Sequence, residues 1–133
     1  MTKKLNILHV DDSKAIILHI KKLLSKTPAI QKIETSGTVA EAKALLKIRK
    51  IDVAILDISL PDGNGIELLA WIKEHYPAII VIMFTNNSDS FFRRYAQKSG
   101  ADYFLDKSME FEDLLKILKK KIIQIPNHHE TRV

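Results

Sequence analysis

The 133-residue sequence contains no cysteine, which excludes disulfide bonds, thiolate nucleophiles and metal sites with cysteine ligands. Glycine and proline are scarce, with four of each, and no linker rich in them divides the chain. No segment approaches the roughly 20 apolar residues that a membrane-spanning helix needs. The N-terminal segment carries two lysines but lacks the apolar core of a secretory signal. We therefore expect one domain, located in the cytoplasm and without a membrane anchor.

The formal net charge of +5 raises the question of nucleic-acid binding. The basic residues are spread over helix-like stretches such as HIKKLLSK and AKALLKIRK, where lysines stand beside an apolar stripe. A phosphate-binding patch would need interleaved aromatic or glycine-rich residues, and these stretches have none. We interpret the charge as solvated helix faces and expect no direct contact with nucleic acid, which stays the less favoured alternative.

Five short apolar runs, most of them rich in valine and isoleucine and without polar alternation, have the pattern of strands buried on both faces. Each run is followed by apolar residues at helical spacing. A strand and a helix repeated five times predict an α/β fold with a parallel sheet covered by helices on both sides. The predicted strands are residues 5–10, 33–35, 53–56, 79–84 and 103–105.

Polar side chains stand at the carboxyl ends of these strands, where open parallel sheets bind ligands. Asp11 and Asp12 follow the first strand, and Asp57 follows the third in the stretch VAILDISLPDGNG. Thr85 stands at the end of the fourth strand and Lys107 just beyond the fifth. We expect one edge of the sheet to gather three carboxylates, a hydroxyl and an ammonium.

Three neighbouring carboxylates repel one another and raise each other's pKa unless a cation compensates. Mg²⁺ suits such a site because it binds a few carboxylate oxygens and keeps waters or phosphate oxygens as its other ligands. If one carboxylate attacks phosphorus, the product is an aspartyl phosphate. The metal ion, an ammonium and a hydroxyl would then stabilise the charge on the phosphoryl oxygens. The set of side chains therefore indicates phosphoryl transfer to a carboxylate.

Each of these residues also has a purely structural interpretation. Asp11 or Asp12 could cap the helix that follows, and Asp57 could form an Asx-turn. Thr85 could bond to backbone at the strand end, and Lys107 could be a surface lysine. We favour a reactive site because these residue types coincide at the ends of four separate runs.

Four segments, ILHVDDS, VAILDISLPDGNGIELL, VIMFTNN and ADYFLDKS, resemble in order and spacing the receiver domain of two-component response regulators. The resemblance extends from residue 5 to about residue 125 and implies a receiver domain at residues 1–126. It implies a three-layer, doubly wound (βα)5 flavodoxin-like fold with a five-stranded parallel sheet of order 2-1-3-4-5. Residues 127–133 lack an apolar pattern and are predicted to be a disordered tail or the start of a linker.

The resemblance implies a role for each acidic residue. Asp57 would be the phosphoacceptor. Asp12 and Asp57 would bind Mg²⁺ directly, and Asp11 would bind it mainly through water. The backbone carbonyl of Ser59 would supply a further metal ligand.

The resemblance also implies how the site signals. Lys107 would contact the phosphoryl group, Thr85 would move toward it and Tyr103 would change rotamer with it. The fourth helix, fifth strand and fifth helix, including residues 91–94 and 116–120, would form the face that binds a downstream effector protein. The phosphoryl donor would be a sensor histidine kinase, a phosphotransfer protein or a small phosphodonor, and phosphorylation could produce a homodimer. The chain would not be an enzyme for other molecules, since it would catalyse only its own phosphorylation and slow dephosphorylation.

Some positions depart from the family pattern or leave its chemistry open. Asn86 stands where a small residue is usual, and Ser108 stands where proline is usual. A cis peptide bond before a residue other than proline costs roughly 3 kcal/mol. The sequence therefore leaves undetermined which geometry the loop adopts at Ser108. Ser59 and Asn87 occupy two positions that tend to set the dephosphorylation rate in the family.

Alternatives remain for the site and for the surface. The departures at Asn86 and Ser108 allow a docking module of the same fold that is not phosphorylated. A flavin-binding protein is less favoured, because VDDSKA places two carboxylates where the flavin phosphate would bind. The aromatic residues of the fourth helix, such as Phe91 and Phe92, could pack in the core, which we favour for those nearest the sheet. No histidine is assigned a catalytic role, and His9 is expected to be a packed or hydrogen-bonded ring within the first strand.

Overall fold

The structure, a computed structural model, describes residues 4–108 and 111–124, with side chains described as far as residue 120. The tail predicted at residues 127–133 lies outside the described residues. The strands of the main sheet are β1 (Leu5–Val10), β2 (Ile30–Ser36), β3 (Val53–Leu56), β4 (Ile80–Thr85) and β5 (Tyr103–Asp106). The helices are α1 (Lys14–Ser25), α2 (Val39–Ile48), α3 (Gly65–His75), α4 (Ser90–Lys98) and α5 (Phe111–Gln124).

The five strands form one parallel sheet in the order β2-β1-β3-β4-β5, which confirms the predicted fold class and strand order. The register decides which residues meet beyond the strand ends. Val10 of β1 pairs with Leu56 of β3. The residues that follow them, Asp11 and Asp57, therefore leave the sheet side by side.

Two apolar clusters, one on each face of the sheet, make the three-layer arrangement. The first contains buried residues of α2, α3 and α4, and the second contains buried residues of α1 and α5. All residues of β3 and β4 are buried, as their continuous apolar sequences predict. Among the described helices, none combines the length and the apolar character needed to cross a membrane.

The second strand is longer than the sequence indicates, because it lies at the edge of the sheet. We predicted it at residues 33–35, whereas β2 runs from Ile30 to Ser36. Gln31 and Lys32 are exposed on this edge strand, so polar residues interrupt the apolar pattern at its start. A search for continuous apolar runs, which marks strands buried on both faces, therefore misses the beginning of β2.

The turn after Asp57 is a short antiparallel ribbon in which Ser59–Leu60 pairs with Gly63–Asn64. The sequence predicted only a turn there, since pairs of two residues are too short to show an apolar period. Beyond the ribbon, the backbone N–H of Gly65 donates to the carbonyl of Ile58 at 2.7 Å. A Cβ atom at Gly65 would lie 1.8 Å from the backbone oxygen of Asp57. Only glycine lets α3 begin this close to the backbone of Asp57.

The aromatic residues of α4 divide between the core and the surface. Phe92 is partly buried and packs against the cluster that contains Ala96, as expected for the side chains nearest the sheet. Phe91 and Tyr95 are exposed, at 66% and 37% respectively, so core packing is wrong for Phe91. Adjacent helical residues such as Phe91 and Phe92 point in directions about 100° apart, so they do not share one face. Because both are aromatic, helical spacing alone did not show which of them faces the core.

We expect Gly65→Ala to lower the free energy of unfolding by about 1–3 kcal/mol, because overpacked sites must shift backbone. Gly37→Ala is the matched control, since its nearest neighbour would be the Asp11 backbone oxygen at 3.9 Å. That control should change stability by less than about 0.5 kcal/mol. Urea unfolding followed by circular dichroism measures both variants. Wild-type stability of Gly65→Ala would contradict the close approach to Asp57.

Candidate functional site

Lys107 joins two carboxylates at the carboxyl edge of the sheet. Its Nζ lies 2.6 Å from Oδ2 of Asp11 and 2.8 Å from Oδ2 of Asp57. The side chains of Lys107, Asp11 and Asp57 are 8%, 1% and 10% exposed respectively, so the ion pairs are largely shielded from solvent. The structure thus brings together three of the predicted site residues that are separated by 96 and 50 positions in sequence.

Backbone hydrogen bonds of the sheet continue one residue past the strand ends and hold these side chains in place. The N–H of Asp57 donates to the carbonyl of Val10 at 3.0 Å. The N–H of Lys107 donates to the carbonyl of Thr85 at 2.9 Å. The backbones of Asp57 and Lys107 are therefore as firmly placed as the sheet itself.

Neither aspartate after β1 caps the first helix. Oγ of Ser13 accepts a hydrogen bond from the N–H of Ile16 at 3.3 Å, so Ser13 is the N-cap of α1. Asp11 instead accepts from the N–H of Ser13 through Oδ1 at 2.8 Å. Asp12 is exposed beside it. The capping interpretation of Asp11 and Asp12 is therefore wrong, and both carboxylates face other partners or solvent.

The acidic residues form a cluster with the geometry of a cation site. One carboxylate oxygen from each of Asp11, Asp12 and Asp57 lies within 4.8 Å of the other two. An all-oxygen donor set of this kind suits a hard divalent cation. Ser59, at the start of the ribbon, is exposed, and the role of its backbone carbonyl as a ligand stays a prediction.

Burial and ion pairing oppose each other in this cluster. Burial raises the pKa of Asp11, and the hydrogen bonds from Lys107 and the Ser13 N–H only partly offset this effect. Burial lowers the pKa of Lys107, but its hydrogen bonds to Asp11 and Asp57 outweigh burial and leave that pKa raised. The ammonium is thus held in its charged form. Desolvation destabilises the ionised form of the Asp11 carboxylate, and a further cation nearby would stabilise it.

Thr85 lies behind the acidic cluster, at the end of β4. Its side chain is fully buried, and Oγ1 accepts a hydrogen bond from the N–H of Asn87 at 3.1 Å. Nδ2 of Asn87 donates to Oγ of Ser59 at 2.7 Å, so Asn87 connects the loop after β4 with the ribbon. Asn86 is exposed. The backbone contact of Thr85 matches its structural interpretation, and its movement toward a phosphoryl group stays a prediction.

Asp106, the last residue of β5, is a residue to which the sequence assigned no role. The Lys107–Ser108 peptide bond is trans, which settles the geometry that the sequence left open. Oδ1 of Asp106 accepts hydrogen bonds from both N–H and Oγ of Ser108, at 2.8 and 2.6 Å. An aspartate two residues before a serine is a signal for such a local turn. Tyr103, at the other end of β5, is partly buried against the α1 and α5 cluster, and its rotamer change stays a prediction.

His9 lies beneath the site on β1, on the same face of the sheet as Leu5 and Ile7. It is fully buried, and neither ring nitrogen has a hydrogen-bond partner among the described residues. Burial lowers the pKa of His9 to about 4, and the nearby Lys107 acts in the same direction. The ring is therefore packed rather than hydrogen-bonded, and it is neutral at physiological pH.

The buried ring makes folding stability depend on pH. The pKa of His9 falls from 6.5 to about 4 on folding, so the unfolded chain takes up the proton first as the pH is lowered. The free energy of unfolding therefore has its full value, as far as His9 is concerned, above the unfolded pKa of His9. It decreases as the pH falls from there toward the folded pKa. A shift of this size corresponds to a loss on the order of 3 kcal/mol.

We expect His9→Leu to remove this share of the pH dependence, because leucine has no group to protonate. His19→Gln, which changes an exposed histidine on α1, should keep the wild-type dependence. Urea unfolding between neutral pH and the folded pKa of His9 measures the effect. An unchanged slope of unfolding free energy against pH in His9→Leu would show that His9 does not carry it.

Comparisons with known proteins agree with this fold. The chain is similar to a response regulator receiver domain protein (CheY-like) from Methanospirillum hungatei JF-1, with a TM-score of 0.85 and 29% identity over 93% of this chain and 98% of that chain. It is also similar to the signal receiver domain of an HD domain-containing protein from Pseudomonas fluorescens Pf-5. That match has a TM-score of 0.86 and 27% identity, over 95% of this chain and 100% of that chain.

Two curated relatives share this part of their sequence with the chain. The DNA-binding transcriptional activator DevR/DosR of Mycobacterium tuberculosis is 31% identical over 110 residues, which are 83% of this chain and 51% of that protein. The nitrate/nitrite response regulator protein NarL of Escherichia coli K12 is 31% identical over 112 residues, or 84% of this chain and 52% of that protein. The chain therefore spans about half the length of these relatives.

The family model of the response regulator receiver domain matches residues 7–119, which include most of β1, all of β2 to β5 and the acidic cluster. The fold, with its parallel sheet of order β2-β1-β3-β4-β5, is the flavodoxin-like fold of CheY-like receivers. The chain belongs to the receiver domain family of two-component response regulators.

Proposed function

We propose that this receiver domain is a phosphorylation switch, in which Asp57 accepts a phosphoryl group from phosphohistidine on a sensor kinase or a phosphotransfer protein. The observation that carries this proposal is the shielded ammonium of Lys107 between Asp57 and Asp11, with Asp12 exposed beside them. A shielded cation beside clustered carboxylates is suited to the charge that builds up on a transferred phosphoryl group.

The position of Asp57 within the sheet supports its role as the nucleophile. It follows β3, which lies between β1 and β4, so it has Asp11 on one side and the end of β4, which finishes at Thr85, on the other. In both carboxylates one oxygen accepts a backbone N–H, from Ser13 at Asp11 and from Ile58 at Asp57, and the other oxygen contacts Lys107. The Asp57 side chain is the more accessible of the two, at 10% exposed against 1% for Asp11. Asp57 is thus the carboxylate with acidic, hydroxyl and ammonium groups around it.

In the proposed reaction, a carboxylate oxygen of Asp57 attacks the phosphorus of phosphohistidine. An O–P bond forms and the P–N bond breaks, and its electron pair stays on the imidazole, which takes a proton from solvent. Lys107, already at Oδ2 of Asp57, needs only a short movement to contact a phosphoryl oxygen. Thr85 would donate its hydroxyl to a second phosphoryl oxygen once its side chain turns from the Asn87 N–H.

The donor set of Asp11, Asp12 and Asp57 fits Mg²⁺, which we propose as the cofactor. The backbone carbonyl of Ser59 would complete the protein ligands. When bound, Mg²⁺ would offset the carboxylate charges and coordinate a phosphoryl oxygen. The chain's own contribution is to hold three oxygens close together after two strand ends, with the Lys107 ammonium in contact with two of the three carboxylates.

We further propose that phosphorylation changes the face formed by α4, β5 and α5. The phosphoryl group adds about two negative charges beside Lys107 and Thr85. Thr85 ends β4, the neighbour of β5 in the sheet, and Lys107 directly follows β5. On this face Tyr103 is partly buried, and the lysines of residues 116–120 lie on α5. The proposed target is an effector protein in the cytoplasm, with a phosphorylation-dependent homodimer as one form of output. The chain acts on itself, through phosphorylation and slow hydrolysis, rather than on a separate substrate.

With Mg²⁺ and phosphoramidate, we expect the wild-type protein to gain the mass of one phosphoryl group, and Asp57→Asn to gain none. Glu74→Gln, which removes an exposed carboxylate on α3, is the matched control and should be phosphorylated like the wild type. Chelation of the metal with EDTA should stop the reaction. Intact-protein mass spectrometry measures all of these samples. An unmodified wild type would favour the docking module. If Asp57→Asn gained as much phosphoryl mass as the wild type, Asp57 would not be the nucleophile.

We expect Lys107→Ala to slow phosphorylation on the order of 10²-fold, because it removes the ammonium that stabilises the transferred group. Lys98→Ala, an exposed lysine on α4, should keep the wild-type rate. The rate is measured by quenching aliquots for mass analysis at a fixed donor concentration. A wild-type rate in Lys107→Ala would exclude Lys107 from the reaction.

A further inference from the structure

Asp106, the last residue of β5, uses both carboxylate oxygens to connect the two loops beside the site. Oδ1 accepts from N–H and Oγ of Ser108, at 2.8 and 2.6 Å. Oδ2 accepts a hydrogen bond from Oγ of Ser88. Ser88 lies three residues after Thr85, and Ser108 directly follows Lys107. A single carboxylate therefore links the loop that carries the phosphoryl-binding ammonium to the loop that follows Thr85.

The turn around Lys107 is closed by this contact. Asp106 and Ser108 flank Lys107 in sequence, and their hydrogen bonds restrain the backbone between them. Ser108 supplies two donors, one of which is a backbone N–H that proline would lack. Hydrogen bonds to an ionised carboxylate are among the stronger ones in proteins. The Lys107 side chain is thus fixed at both ends, by this turn at its backbone and by Asp11 and Asp57 at its ammonium.

A second side chain attaches the loop after β4 to β5. Arg93, in the first turn of α4, donates from Nε to the carbonyl of Ser88 at 3.2 Å and from Nη1 to the carbonyl of Phe104 at 3.3 Å. Its guanidinium also lies 4.8 Å from the centre of the Phe104 ring. Ser88 is therefore held from two directions, by Asp106 through its hydroxyl and by Arg93 through its carbonyl.

We propose that Asp106 is a positioning residue for the phosphoryl transfer. It holds the Lys107 loop to the loop of Thr85, so that ammonium and hydroxyl meet the phosphoryl group in one geometry. The inference rests on the proposed phosphorylation of Asp57. Loss of the Asp106 carboxylate leaves Lys107, Thr85 and Asp57 in the chain but frees the backbones that present two of them. The ammonium is then in its reacting position for less of the time, and phosphorylation slows.

Two variants separate this link from an effect of charge. In Asp106→Asn, the side-chain oxygen can still accept from Ser108, and the amide can donate to the Ser88 hydroxyl, so both loops stay connected. Asp106→Ala removes both connections together with the charge. If Asp106 acted only as a negative charge near Lys107, the two variants would behave alike.

The experiment compares phosphorylation rates with phosphoramidate and Mg²⁺, followed by intact mass, in variants checked for folding by circular dichroism. Asp106→Ala should be about tenfold slower than wild type, since small displacements of positioned groups have large effects on rate. Asp106→Asn should stay within about twofold of the wild type by the same reasoning. Ser108→Ala and Ser88→Ala should fall between them, and they keep the test valid if Asp106→Ala does not fold. Glu112→Ala, an exposed acid on α5, is the control and should keep the wild-type rate.

A second measurement on the unphosphorylated protein does not depend on Asp57 chemistry. Backbone ¹⁵N order parameters of Ser88 and Ser108 should be ~0.85 in the wild type and Asp106→Asn, and should fall below about 0.6 in Asp106→Ala. A wild-type rate or rigid loops in Asp106→Ala would overturn the positioning role, as would Asp106→Asn being as slow as Asp106→Ala. A wild type that is not phosphorylated at all would instead overturn the proposed function, and the role of Asp106 in it.

Discussion

The contact of one ammonium with two shielded carboxylates is the interaction on which the rest of the site depends. Asp11 and Asp57 are almost inaccessible to solvent and lie side by side, so their charges would repel strongly without a neighbouring cation. Lys107 supplies that cation from a different strand. The carboxylates come from β1 and β3 and the ammonium follows β5, so the contact exists only when the sheet has its observed order.

The remainder of the fold supplies the rigidity that such a contact requires. Two apolar clusters cover the sheet, and the central strands β3 and β4 are buried along their whole length. Polar groups gather at one edge, where backbone hydrogen bonds of the sheet extend just past the strands. Two features beneath and behind this edge show how tightly it is built: the fully buried ring of His9 and the contact of α3 with the backbone of Asp57 at Gly65.

Much of the fold could be predicted from sequence, because a strand buried on both faces carries its own signal. The start of β2 was missed because an edge strand exposes polar residues, and the ribbon at Ser59 was missed because it is too short to have a period. The gathering of Asp11, Asp57 and Lys107 was predicted, since carboxyl ends of parallel strands share an edge. Asp106 was not, because its importance depends on Ser88, a residue 18 positions away whose placement follows from tertiary packing.

The sequence by itself determined which kinds of group stand at the strand ends, because strand and helix patterns depend on neighbouring residues. Tertiary structure alone decided how those groups pair. It placed the Lys107 ammonium against Asp11 and Asp57, and it made Ser13 the helix cap. It also put Phe91 on the surface while Phe92 packs inside. Such pairings join residues as far apart as 96 positions, and only strand order and register bring them within hydrogen-bond distance.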